Sequence, residues 1–240
     1  MDIHDIHNIS TTCTRTEFVG TAVLDTIGLV ISGVDDSLLQ QMNVGTKYHC
    51  LGLFSSRTGA AGQITAIDDA VKATNTEVLS IELPRDTKGW GGHGNYIVLG
   101  GNDVSDVRHA ISLALELTNK NAGEVYISES GHLEFTYSAS AGAALQKAFH
   151  AVPGEAFGFM AGSPAAIGLV MADNAVKSAA VSITKYMTPD IGTSHSNEVI
   201  IAISGDASAV KAAVLEGRQT GLELLIGMGT YPEIPGTPYL

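Results

Sequence analysis

Positive charge is scarce in this chain: 13 lysines and arginines stand against 25 aspartates and glutamates, leaving a formal net charge of −12. A surface of that sign repels nucleic acid and anionic lipid, so neither is expected as a partner. Cysteine is nearly missing as well. Cys13 and Cys50 are too few for a disulfide framework, which fits a reducing compartment. Cys50 lies in the apolar stretch YHCLGLF and reads as a small buried hydrophobe, whereas Cys13 sits in a polar segment with no evident partner. Apolar stretches such as AAIGLVMA fall far short of the roughly 18–20 residues that a spanning helix needs. The opening MDIHDIHN is acidic and has no apolar run, so no signal peptide is expected and the chain reads as soluble and intracellular. Aromatics reach only 6%, while 27 glycines and many alanines suit close packing of helices on a sheet.

Catalytic and cofactor motifs are missing too. The glycines of GWGGHG match neither G-x-G-x-x-G nor G-x-x-x-x-G-K-[ST], and they run into a strand where phosphate binding needs a helix N-terminus. His4 and His7 lack a third ligand, so no metal is expected. Ser194, His195 and Ser196 are adjacent and cannot form a nucleophile–base pair. No cofactor is expected, and a nucleotide-binding enzyme finds only a weak signal here.

What the chain does have is an internal repeat. Residues 70–78 read AVKATNTEV and residues 175–183 read AVKSAAVSI, an offset of 105. Upstream, CLGLFSSRTGAAGQITAIDD parallels AFGFMAGSPAAIGLVMADN. Downstream, NYIVLGGNDVSDVRHAI parallels NEVIIAISGDASAVKAAV, and TIGLVISGVDDSLLQQM matches HLEFTYSASAGAALQKAF in pattern. Two domains are expected, at 18–120 and 121–226, flanked by a flexible tail (1–17) and an extended arm (227–240) whose three prolines exclude regular structure. The arm is free to pack on a neighbouring subunit.

Each half should follow one plan. Strands are predicted at Thr26–Ser32, Cys50–Phe54, Glu77–Leu83 and Tyr96–Gly100, with counterparts at Leu133–Ser138, Ala156–Met160, Val181–Tyr186 and Val199–Ser204. Short helices should end near Met42 and Phe149, and the small residues Ala66 and Ala70, or Ala172 and Ala175, mark helix faces that lie against a sheet. Asn102 or Asp103 in the first half, and Asp206 in the second, read as N-caps of the last helix. The fold class is α+β, with helices flanking mainly antiparallel sheets.

The segments LGLF…TGAAGQITAIDDAVKAT, FGFM…SPAAIGLVMADNAVKSA and ISGDASAVKAAVLEG resemble the bacterial microcompartment shell-protein family. The order of the segments is similar to its circularly permuted, tandem-domain branch, and EFVGTAV, ATNTEVLSIELPRDTKG, GGHG, GGND and TPYL are nearest to members from propanediol-utilization compartments. That resemblance implies a homotrimer imitating a hexagonal tile, which meets other shell proteins edge to edge around metabolic enzymes in the cytoplasm. Small polar metabolites such as glycerol or 1,2-propanediol would cross it. It also implies tile-edge roles for Lys72 and Lys177, which the residues alone would leave as solvated helix lysines.

By the same resemblance the loop Pro84–Asn95 and its counterpart Thr188–Asn197 line pores or channels. Glu82, Arg85, Asp86, Thr87, Lys88, His93, Asn95, Asp190, Thr193, Ser194 and His195 are the candidate lining. Trp90 is either a central plug or a packing anchor, and Glu82, Arg85 and Asp86 either line a channel between the two domains or form a solvated ion cluster. Hydroxyl and imidazole groups there would exchange hydrogen bonds with a neutral diol at a cost of about 1 kcal/mol each. The tail, with Ile3, Ile6 and Ile9 spaced by three, either tethers encapsulated enzymes or is disordered. The competing reading is a soluble small-ligand-binding or regulatory module with an internal duplication.

Overall fold

The computed structural model describes residues 16–85, 93–122 and 124–240. The first half contains β1 (Thr16–Ala22), β2 (Thr26–Ile31), α1 (Asp36–Met42), β3 (Cys50–Ser56), α2 (Ala61–Lys72), β4 (Thr76–Glu82), β5 (Asn95–Gly101) and α3 (Val104–Asn121). The second repeats that order as β6 (Val125–Ser128), β7 (Gly131–Ser138), α4 (Ala143–Phe149), β8 (Ala156–Ser163), α5 (Ala165–Ser178), β9 (Val181–Met187), β10 (Val199–Gly205) and α6 (Ala207–Gly227). Each half forms a five-stranded antiparallel sheet, in the orders β1-β2-β3-β5-β4 and β6-β7-β8-β10-β9. The duplication and the α+β class are therefore visible element by element.

Local chemistry accounts for the boundaries. In β2 buried and half-buried residues alternate, the period of a strand with one covered face. The central β8 is buried along almost its whole length. Asp103 and Asp206 cap α3 and α6 through the N–H groups of Ser105 (2.7 Å) and Ser208 (3.0 Å), which satisfies otherwise orphaned donors. The glycines of LGLF and FGFM mark where a helix crosses the sheet closely. A Cβ on Gly52 would lie 2.9 Å from the Ile111 side chain on α3, and one on Gly158 would lie 2.7 Å from Val214 on α6.

Four features differ from the expectations. The edge strands β1 and β6 were not anticipated, since β1 has no clean alternation and β6 spans four residues. Consequently Thr16 and Glu17 lie in a strand and not in the tail. Cys50 is half-buried, with its thiol 3.5 Å from the carbonyl of Ser32, because it opens its strand at the rim of the sheet. The arm 227–240 packs on its own domain: Ile127 and Glu233 exchange backbone hydrogen bonds of 2.9 and 2.6 Å. The rest of the tail, including Cys13, His4, His7 and the three isoleucines, lies outside the described residues.

The two halves share a core. Ala61 and Ile64 of α2 belong to one apolar cluster with Leu145 and Phe149 of α4 and Phe157 and Phe159 of β8. Phe149 packs on Phe157 and Phe159 with ring centroids 5.6 and 5.2 Å away. Among the described residues no helix is long and apolar enough to cross a membrane.

Candidate functional site at the junction of the two domains

The junction is built around buried charged groups. Asp68 of α2 is fully buried at its side chain. Its carboxylate accepts the N–H groups of Gly142 (2.8 Å), Ala144 (2.8 Å) and Leu145 (3.2 Å) at the start of α4. Helix α4 has Gly142 at its N-cap position and no side-chain cap of its own, so Asp68 supplies one from the other domain. Glu134 on β7 answers in the opposite direction, accepting the N–H groups of Ala60 (3.0 Å) and Ala61 (2.8 Å) at the start of α2. Each domain therefore neutralises a helix end of its partner.

Beside this exchange lies a second buried group. His93 Nδ1 is 2.6 Å from Glu198 Oε1, and His132 Nε2 donates to Glu198 Oε2 at 3.0 Å. Burial pushes the Glu198 carboxyl up, but the two imidazoles outweigh it and hold its pKa at about 2. Burial lowers the His93 pKa, yet Glu198 and Glu134 prevail and raise it overall. The cavity against them is only about 10 Å³, room for about one water and for no metabolite. Among the described residues no group of three acidic, histidine or cysteine side chains is arranged to hold a metal.

An open cleft of about 390 Å³ also lies between the domains, lined by Glu82, Leu83 and Pro84 on one side and by Lys185, Met187, Gly192 and Ser194 on the other. Lys185 donates to the carbonyl of Ala148 at 2.7 Å, and burial lowers its pKa. The cleft presents one carboxylate, one ammonium and one hydroxyl to a guest.

The candidate residues from the sequence separate into three groups. Glu82 and Ser194 line the cleft. His195 and Asp190 are almost fully exposed and 4.0 Å apart, on a turn where Ser194 and His195 both have positive φ. Arg85 forms an isolated bridge with His93 across the base of the loop. By contrast His93, Asn95 and Thr193 are buried within the chain. Asn95 donates to Ser56 Oγ at 2.6 Å, and Thr193 donates to the carbonyl of Thr188 at 2.8 Å, so their polar atoms close the loop ends. Asp86, Thr87, Lys88 and Trp90 lie outside the described residues. Lys72 stays exposed, but its ammonium is engaged, 2.8 Å from Asp68 and donating to the carbonyl of Ser140 at 2.6 Å. Lys177 remains exposed and pairs with Asp173 on its own helix.

Sequence reasoning missed Glu198, Glu134 and Asp68. The one available signal was a carboxylate inside an apolar stretch, as in HLEFTYS, where an unpaired charge would be intolerable.

The repeat exposes one asymmetry. On α2, Ala61, Ile64, Thr65 and Asp68 form a single helical face, spaced i, i+3, i+4 and i+7, and every one is buried by the second domain. Their counterparts on α5 are Ala166, Leu169, Val170 and Asp173, and all four are exposed, Leu169 to 52% and Val170 to 45%. On β9 the exposed Ile183 (54%) stands where β4 has the buried Val78 (7%). An apolar face made for a domain contact has nothing on it within one chain.

Comparison with known proteins agrees with this architecture. The BMC domain family matches residues 50–130 and again 156–233. The bacterial microcompartment shell protein PduB of Citrobacter freundii is 51% identical over 228 residues, covering 95% of this chain and 84% of that protein. The crystal structure of a trimeric bacterial microcompartment shell protein PduB superposes with a TM-score of 0.89 at 46% identity, covering 93% of this chain and 99% of that one. EtuB from Clostridium kluyveri gives 0.91 at 46% identity, covering 95% and 100%.

Proposed function

We propose, because this chain belongs to the BMC-domain family of bacterial microcompartment shell proteins, that it is a non-enzymatic shell subunit working as a homotrimeric tile. The observation that carries this reading is the bare face of α5. In the first domain the same face is covered by β7 and α4. Three chains joined head to tail cover it with β2 and α1 of the next copy, closing a ring of six similar domains. A ligand-binding or regulatory module with an internal duplication leaves that face unexplained.

Domains at 18–120 and 121–226 are the units of the ring. Tiles then meet other shell proteins edge to edge, with Lys177 free to reach across such an edge and Lys72 already engaged. The cleft between Glu82 and Ser194 is the route for a small polar metabolite such as glycerol or 1,2-propanediol, which replaces its water hydrogen bonds with the hydroxyl, carboxylate and ammonium there. Asp190 and His195 belong to the loop beside that route, and Asp86, Thr87, Lys88 and Trp90 are further residues for contact with the metabolite. The tail ahead of β1 is the segment for contact with encapsulated enzymes, and the tile sits in the shell of a cytoplasmic compartment.

Sedimentation tests the tile, and a crystal soaked with glycerol tests the route. A species of three chain masses, with glycerol against Glu82 and Ser194, is the expected result. A monomer in solution, or glycerol absent from the cleft at saturating concentration, rejects the tile or the route respectively.

A further inference from the structure

The second domain holds another buried carboxylate, and its partners come from the far end of the chain. The Glu124 side chain has no exposure to water. Its Oε1 accepts the backbone N–H groups of Tyr239 at 2.7 Å and Leu240 at 2.8 Å. Its Oε2 accepts the hydroxyl of Tyr126 at 2.7 Å and Arg218 Nη1 at 3.1 Å. Arg218 also donates to the carbonyl of Leu240 at 3.3 Å, and the N–H of Tyr137 donates to the hydroxyl of Tyr239 at 3.2 Å. Leu240 packs against the apolar core of the domain.

The stretch that brings these two residues here is weakly held. Between Gly227 and Tyr239 its side chains are mostly exposed, and Pro232, Pro235 and Pro238 keep it out of helix and sheet. Its other backbone anchor is the Ile127–Glu233 pair. Few backbone anchors and mostly exposed residues describe a segment that opens locally, without unfolding the domain beneath it. The surface it leaves behind is chemically demanding, because a buried carboxylate deprived of two N–H donors carries a desolvation cost.

We propose that Glu124, Tyr126, Tyr137 and Arg218 form a binding site for an extended peptide with a tyrosine–leucine pair, filled in this chain by its own Tyr239 and Leu240. The carboxylate requires two successive backbone N–H groups, which excludes proline at either position. The N–H of Tyr137 selects an aromatic hydroxyl, and the core beside it selects an aliphatic side chain. Burial raises the Glu124 pKa, but the N–H of Leu240 and the other donors outweigh it and leave it below the ordinary carboxylate value. The two N–H groups of the peptide favour the ionised carboxylate, so peptide binding weakens as the pH falls and Glu124 takes up a proton.

The test uses the chain shortened to end at Pro238 and a fluorescent peptide of residues 234–240. Saturable binding is expected, weakened about 10-fold or more by proline at the tyrosine position, and about 10-fold weaker to the full chain, whose own arm competes. A folded shortened chain that binds no peptide, or equal binding by both chains, overturns the proposal. Should the shortened chain fail to fold, amide exchange in the full chain decides: Tyr239 and Leu240 are expected to exchange at least about 100-fold faster than β8. Exchange at the rate of β8 makes the arm part of the fold and sinks the idea.

Discussion

Asp68 on α2 and Ala144 on α4 lie 76 residues apart in sequence, yet the carboxylate of one accepts the N–H of the other at 2.8 Å. One domain thus completes a helix of the other. Residues 36–42 form the corresponding helix of the first domain, which needs no such help because Asp35 accepts the N–H of Ser37 at 2.9 Å. The two domains are copies whose helix starts are satisfied by different means.

Replacing Asp68 with alanine leaves three N–H groups without their acceptor and removes one partner of Lys72. A loss of about 2–4 kcal/mol is expected in denaturant unfolding, the range for removing one partner of a buried charged network. Asp173→Ala, at the counterpart position, removes an exposed partner of Lys177 and should leave the melting of the isolated chain nearly unchanged. Equal effects of the two substitutions would contradict the junction described above.

The buried imidazole–carboxylate group sets a pH window. The raised pKa of His93 means that its pairing stabilises fully below the unfolded value of 6.5 and is lost as pH rises through the folded value. Glu198, held at about 2, stabilises above its unfolded value of 4.5 and is lost as pH falls towards 2. The contribution should peak between about 4.5 and 6.5 and decline on both sides. Glu198→Gln should flatten the curve of melting temperature against pH; a variant that keeps its shape shows that stability is set elsewhere.

Val170→Asp places a charge on the bare face of α5 without touching the core of its own domain. Sedimentation should then find single chains whose circular dichroism matches the parent. A trimer that tolerates the aspartate would mean that another surface joins the copies.

Lys177→Ala should impair the joining of tiles into sheets while leaving their stability unaltered. Lys72→Ala should lower the melting temperature as well, because it uncovers Asp68 and the carbonyl of Ser140. Electron microscopy of overexpressed protein, set beside a melting curve, separates the two lysines. Sheets that persist in Lys177→Ala remove it from the edge.

Much of the fold could be read in advance for a physical reason. Strand and helix periods and cap residues are local, so α1 ending at Met42, α4 ending at Phe149 and the caps Asp103 and Asp206 were all legible. Edge strands β1 and β6 were not, since an edge strand owes its order to hydrogen bonds from a neighbour more than to its own pattern. Among the candidate site residues, His93 belongs to a type that usually faces water, and its distant partner Glu198 draws it inward.

The sequence alone determined that this chain is one domain written twice, because apolar spacing, caps and glycine steps recur in order and each acts within a few residues. Only the tertiary structure decided which copy of each position is buried. Burial depends on what lies opposite: Ile64 meets the second domain within the same molecule, while Leu169, its counterpart, faces outward.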